Sequence, residues 1–127
     1  MSSWILDASA LMAALHREPG WEAVAAILSQ AQISAVNLSE VGAKLLEKGL
    51  PEAQVGADLE SLRLGVVPFD RSLAYLAAAL RPVTRAEGLS FADRACLATA
   101  QALGARAVTA DRRWARLRTG VQVEVIR

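Results

Sequence analysis

The sequence predicts an α/β protein: a three-layer α/β/α sandwich around a central parallel β-sheet of four to five strands. Three observations predict it. Short apolar segments alternate with longer stretches of helical periodicity, as in repeated strand–helix units. The short segments are nearly all apolar, as in strands covered on both faces. The 127 residues are enough for one domain with a sizeable core and too few for two, so residues 1–127 read as a single domain.

The elements follow in order. Residues 4–7, Trp4-Ile5-Leu6-Asp7, form a short apolar strand ending in an acid, and a helical pattern runs on through Leu15. Pro19-Gly20 interrupts it. Residues 21–31 space Ala, Val, Ile and Leu at helical intervals, and residues 33–36 read as the second strand. Asn37, with Glu40 three positions later, resembles a capping box opening a helix over 38–48, which Gly49 closes before Pro51 and a further helix. Residues 64–69 make the third strand, and Asp70 caps a helix that runs to Leu80 and stops at Pro82. Ser90 with Asp93 opens another helix ending near Gly104. Strands over 105–109 and 121–126 follow, with a short helix over 111–117 between them.

Composition excludes several classes. The longest apolar runs, 8–15 and 73–80, fall far short of the roughly 20 residues that cross a bilayer, so no membrane association is expected. The first residues lack a basic region, and Asp7 and His16 flank the apolar stretch, which argues against a secretory signal and makes the cytoplasm the expected compartment. The single Cys96 sits in an Ala-rich helical pattern and reads as a small buried hydrophobe. A net charge of +1 gives no global basic field for nucleic acid. Arg112, Arg113, Arg116 and Arg118 do crowd together; such a run suits phosphate, yet by itself reads first as a solvated helix face. Trp4, Trp21 and Trp114 read as core or half-buried packing.

Four carboxylates carry the chemistry. Right-handed crossovers place every C-terminal strand end on one edge of a parallel sheet, where ligands bind. Asp7 ends the first strand, Glu40 begins the helix after the second, and Asp111 follows the fourth, so all three fall on that edge. Asp93 reaches it from the first turn of its helix, if that helix runs antiparallel to the next strand. Taken singly, each acid reads more readily as a helix cap, and Asp70 is left as one. Four together, with the only lysines, Lys44 and Lys48, beyond Glu40, are harder to explain without a cation, because gathered carboxylates repel. Mg²⁺ prefers such oxygen ligands and is commonly held by carboxylates together with substrate phosphate. It can activate water, which makes phosphodiester hydrolysis the natural reaction. His16 stands alone as the one histidine, so a two-histidine acid–base ribonuclease is excluded.

Leu6-Asp7-Ala8-Ser9-Ala10-Leu11, Asn37-Leu38-Ser39-Glu40-Val41, the segment from Ser90 to Ala98 and Thr109-Ala110-Asp111-Arg112 resemble, in order and spacing, the motifs of PIN-domain ribonucleases of the VapC toxin type. The resemblance spans essentially the whole chain. It implies a PIN-like fold in which Asp7, Glu40, Asp93 and Asp111 ligate Mg²⁺ or Mn²⁺, and Ser9 and Thr109 orient those acids or their waters. It further implies endoribonuclease activity on cellular RNA such as tRNA or rRNA, a homodimer, and a cognate VapB-like antitoxin. Arg94, Arg112, Arg113 and Arg116 are the candidate RNA contacts.

Other readings fit less of the pattern. A housekeeping PIN nuclease is the alternative within the resemblance. A Mg²⁺-dependent phosphohydrolase with an aspartyl nucleophile usually has a second acid two residues beyond it, where Ser9 stands here. A receiver-type signalling module expects adjacent acids after the first strand and a Lys after the last, and residues 121–127 contain none.

Overall fold

A computed structural model of the chain describes residues 3–127. Its centre is a five-stranded sheet in the order β3-β2-β1-β4-β5, built from β1 (Trp4–Leu6), β2 (Ala31–Ser34), β3 (Gly65–Val67), β4 (Arg106–Thr109) and β5 (Val123–Val125). All four strand pairings are parallel. The crossovers are helical: α1 (Ala8–His16) and α2 (Trp21–Ile27), then α3 (Ala35–Glu47) and α4 (Glu52–Ser61). Next come α5 (Arg71–Ala79), the single turn α6 (Arg81–Thr84), and α7 (Phe91–Leu103). This is the α/β/α sandwich the sequence predicts, with the larger of the two expected strand counts.

The middle strand shows why the apolar runs are unbroken. Successive residues of a strand face opposite sides. Ile5 packs with Leu73, Ala77, Leu97 and Trp114, whereas Leu6 packs with Leu11, Ile33, Val41 and Val108. Both are fully buried, each worth roughly 1.5–3 kcal/mol of hydrophobic stabilisation. The first cluster lies under α5 and α7, and the second under α1 to α4. Cys96 belongs to the first cluster, and burial, followed by the nearby Asp7, Asp93 and Glu40 charges, pushes its thiol up, so it stays a protonated hydrophobe. Trp114 is buried while Trp4 and Trp21 are half-buried, and His16 is exposed. No helix among the described residues is long and apolar enough to cross a membrane.

Strand order sets the location of the site. From β1 the chain adds β2 and β3 on one side, then returns to add β4 and β5 on the other. The reversal lies between β1 and β4, and an open crevice forms at the C-terminal ends of such strands. Asp7 follows β1 directly, and its N–H continues the ladder to Val108 O at 3.0 Å.

Several boundaries differ from the sequence reading. The second strand is Ala31–Ser34 instead of 33–36, because Ser34 itself caps α3, its Oγ accepting from Val36 N at 3.2 Å. Asn37 therefore lies inside the first turn and does not cap; its Nδ2 donates to Ala92 O at 3.0 Å, tying α3 to the start of α7. The helix expected over 21–31 ends at Ile27 and tightens into a 3₁₀ turn, Leu28–Gln30, freeing Ala31 to pair with Trp4. The helix capped by Asp70 does end before Pro82, with Leu80 as its C-cap, and Pro82 itself sits in the first turn of a further short helix, α6, where its missing N–H costs nothing. The segment after Asp111 is 3₁₀, Arg112–Arg116. Asp70 caps α5 as expected, and Gly104, at φ 60°, ends α7 in the left-handed conformation.

Candidate active site

Asp7 is the most buried acid of the site. As N-cap of α1 it accepts Ala10 N at 2.8 Å on Oδ1, which also takes the Ser9 hydroxyl at 2.7 Å. Its Oδ2 accepts the Thr109 hydroxyl at 2.5 Å, from the end of β4. Those two hydroxyls are held in turn: Ser9 Oγ accepts Ala110 N at 2.9 Å, and Thr109 Oγ1 accepts Asp111 N at 3.0 Å. Local helix-capping chemistry and a link between two strands thus converge on one carboxylate. Burial pushes the Asp7 carboxyl up to about 6; hydrogen bonds from Thr109, Ala10 and Ser9 pull against that, and the Asp93 charge adds to it.

The other acids stand around it. Asp93 forms with Ser90 the capping box the sequence predicts: Asp93 N donates to Ser90 Oγ at 3.1 Å, and Asp93 Oδ2 accepts Ser90 N at 2.9 Å. Glu40 sits on the second turn of α3 and pairs with Lys44 at 3.8 Å. Asp111 caps the 3₁₀ turn through Arg113 N at 2.9 Å. The Arg113 guanidinium lies across the same carboxylate, with Nε at 3.1 and 3.0 Å from the two oxygens and Nη2 at 2.6 Å. Hydrogen bonding to Arg113 holds the Asp111 carboxyl below its ordinary range. Asp7, Glu40, Asp93 and Asp111 line one cavity of about 310 Å³, with Ser9, Ser90, Gly88, Lys44 and Arg113 completing the wall.

A family model for the PIN domain matches residues 4–120. The chain belongs to the PIN-domain family. Solved structures share this PIN fold over nearly their whole length. VapBC from Salmonella typhimurium, bound to DNA, is 22% identical with a TM-score of 0.77, and the match covers all of both chains. VapBC2 from Rickettsia felis, bound to a DNA fragment from its promoter, is 18% identical with a TM-score of 0.74, covering 96% of this chain and 97% of that one. VapBC-5 from Mycobacterium tuberculosis is 25% identical with a TM-score of 0.67, covering 100% and 99%. No curated protein sequence matches the chain.

The PIN domain brings together all four acids singled out in the sequence, with Ser9 and Thr109 bonded to Asp7. Their donor chemistry fits a hard divalent cation, since four carboxylates face one polar cavity. Their present orientations do not chelate one: among the described residues no three acidic, His or Cys side chains form a group that could hold an ion. Asp93 is turned to Ser90 N and Asp111 to Arg113. The acids are also less isolated from cations than expected. Lys44 and Arg113 both line the cavity, and the i,i+4 spacing of Glu40 and Lys44 was the available signal for the first.

The candidate RNA-binding arginines separate. Arg113 is in the cavity wall. Arg112 and Arg116 are exposed, and Arg112 Nε donates to Arg127 O at 3.2 Å. Arg94 is turned away: its Nη1 donates to Ala77 O at 3.1 Å, and its guanidinium lies 5.9 Å from the centre of the Phe91 ring. The bond to Ala77 O ties α7 to α5.

Proposed function

We propose that this PIN domain is a divalent-metal-dependent endoribonuclease and the toxin half of a VapBC-type toxin–antitoxin pair. The observation that carries the reading is the convergence of Asp7, Glu40, Asp93 and Asp111 on one cavity beside the β1–β4 crevice, in a member of a nuclease family. Those four acids would hold Mg²⁺ or Mn²⁺. When bound, the ion supplies activation of water and neutralisation of phosphodiester charge. Ser9 and Thr109 fix the Asp7 carboxylate from two directions, so that it presents a set orientation. Exposed Arg112 and Arg116 are suited to phosphates of an RNA lying across the cavity mouth.

Likeness to the VapBC complexes supports a VapB-like antitoxin as partner and a homodimeric assembly, with the cytoplasm as the working compartment. The decisive experiment incubates the purified chain with tRNA or rRNA in Mg²⁺ or Mn²⁺, with and without EDTA. Cleavage that stops in EDTA and leaves 5′-phosphate and 3′-hydroxyl ends is expected. Undiminished cleavage in excess EDTA, or 2′,3′-cyclic phosphate ends, overturns the reading. Co-purification with the product of an adjacent short reading frame separates a toxin from a housekeeping nuclease.

A further inference from the structure

We propose that Arg113 is a built-in competitor for the metal, occupying Asp111 until a divalent ion displaces it. The inference rests on the metal-dependent reading above. An ionised carboxylate offers about four lone-pair directions. At Asp111, Oδ1 accepts Arg113 N and Nε, and Oδ2 accepts Nε and Nη2. Three N–H groups of a single residue, with the Nε hydrogen shared between both oxygens, thus hold the carboxylate, and chelation of an ion by both oxygens requires giving up part of this set.

The guanidinium is also anchored at its far end. Arg113 Nη1 donates to Glu87 O at 2.8 Å, so the side chain bridges the turn Arg85–Glu87 and the 3₁₀ segment along the cavity wall. Gly88, next to that turn, lines the same cavity wall as Arg113. Asp93 lines the same cavity as this guanidinium. Arg113 is thereby held among the acids as a monovalent substitute for an ion, while its side chain remains 50% exposed and free to leave. Metal binding then frees the arginine and loosens its hold on the turn before the cavity.

Calorimetric titration of Mn²⁺ and Mg²⁺ into wild type, Arg113→Ala, Arg113→Gln and Arg116→Ala tests this without reference to activity. Loss of an exposed bidentate partner, together with removal of one positive charge, should tighten Mn²⁺ binding roughly five- to twentyfold in both Arg113 variants. Arg116→Ala makes the same change in net charge without vacating Asp111, and its affinity should stay within about twofold of wild type. On an Asp111→Asn background the Arg113→Ala gain should vanish. Wild type that binds Mn²⁺ while Arg113→Ala binds no tighter overturns the competitor role and leaves the metal reading intact; so does equal tightening by Arg116→Ala. If neither wild type nor any variant takes up Mn²⁺ or Mg²⁺, the metal reading falls, and this inference with it.

Discussion

Thr109 Oγ1 donates to Asp7 Oδ2 at 2.5 Å, joining the ends of β4 and β1 through a hydroxyl whose other role is to accept Asp111 N. One buried side chain thus positions two of the four acids. Thr109→Val keeps the shape and removes both bonds. It should destabilise the fold by about 1–3 kcal/mol at pH 7.5, since a buried acceptor loses its donor, and Thr109→Ser should restore most of the loss. Urea unfolding of the three proteins in EDTA checks it; a Val variant as stable as wild type contradicts the assignment.

Asp7 should make the metal-free protein less stable as pH rises. Its folded value of about 6 lies above the ordinary 3.8, so between those values the folded chain binds more protons than the unfolded one. The sign follows: stability falls as pH rises from about 4 through 6, then levels, and the total is on the order of 3 kcal/mol. Asp7→Asn should abolish this slope. Subtracting the stability of the variant from that of wild type in EDTA across pH 4 to 8 removes the other titrating groups, and a difference that is flat or rises with pH would count against the burial effect.

Asp93→Asn should separate chemistry from folding. The amide oxygen of Asn can still accept Ser90 N, so the capping box survives in weakened form, with a loss of no more than about 1 kcal/mol. Cleavage should disappear. Mg²⁺ bound only to the folded state adds about 2.7 kcal/mol at one hundred times its dissociation constant, and the corresponding rise in Tm should shrink in the variant. An active Asp93→Asn protein with the wild-type Mg²⁺ shift would remove Asp93 from the site.

Arg112 and Arg116 should act through charge alone. Replacing both with Ala is expected to weaken RNA binding and to flatten the slope of log affinity against log salt by about 1.4, two contacts at roughly 0.7 each for single strands. Anisotropy titrations over a range of KCl, made on an Asp7→Asn background to prevent cleavage, measure it. An unchanged slope returns both residues to the solvated face.

Much of the site was legible in the sequence because its acids occupy positions that local rules identify. Asp7 follows a strand, Asp93 completes a capping box with Ser90, and Asp111 caps a turn, so spacing alone put them at element ends. The start of α3 was not legible: Ala35 and Val36 prolong an apolar run that looks like strand, while Ser34 ends it with a hydroxyl able to cap. Moving that boundary changes Asn37 from a cap into a strut to Ala92. The grip of Arg113 on Asp111 also lay beyond sequence reasoning. Two residues apart, they meet only because the backbone turns in 3₁₀ geometry, and the Glu87 carbonyl that steadies the guanidinium comes from a distant loop.

The hydrogen bond from Thr109 to Asp7 spans 102 positions of sequence, which has a consequence for the order of synthesis. β1 emerges from the ribosome first, yet one of its two neighbours, β4, is among the last strands made. Until then Asp7 lacks the donor for its Oδ2, Asp111 does not exist, and the crevice has only one wall. A nascent or truncated chain stopping short of β4 carries Asp7, Glu40 and Asp93 but lacks Thr109 and Asp111, and so has no complete cavity. The cavity is therefore a late product of synthesis, complete only once β4 and the residue pair Thr109 and Asp111 have been added to the sheet.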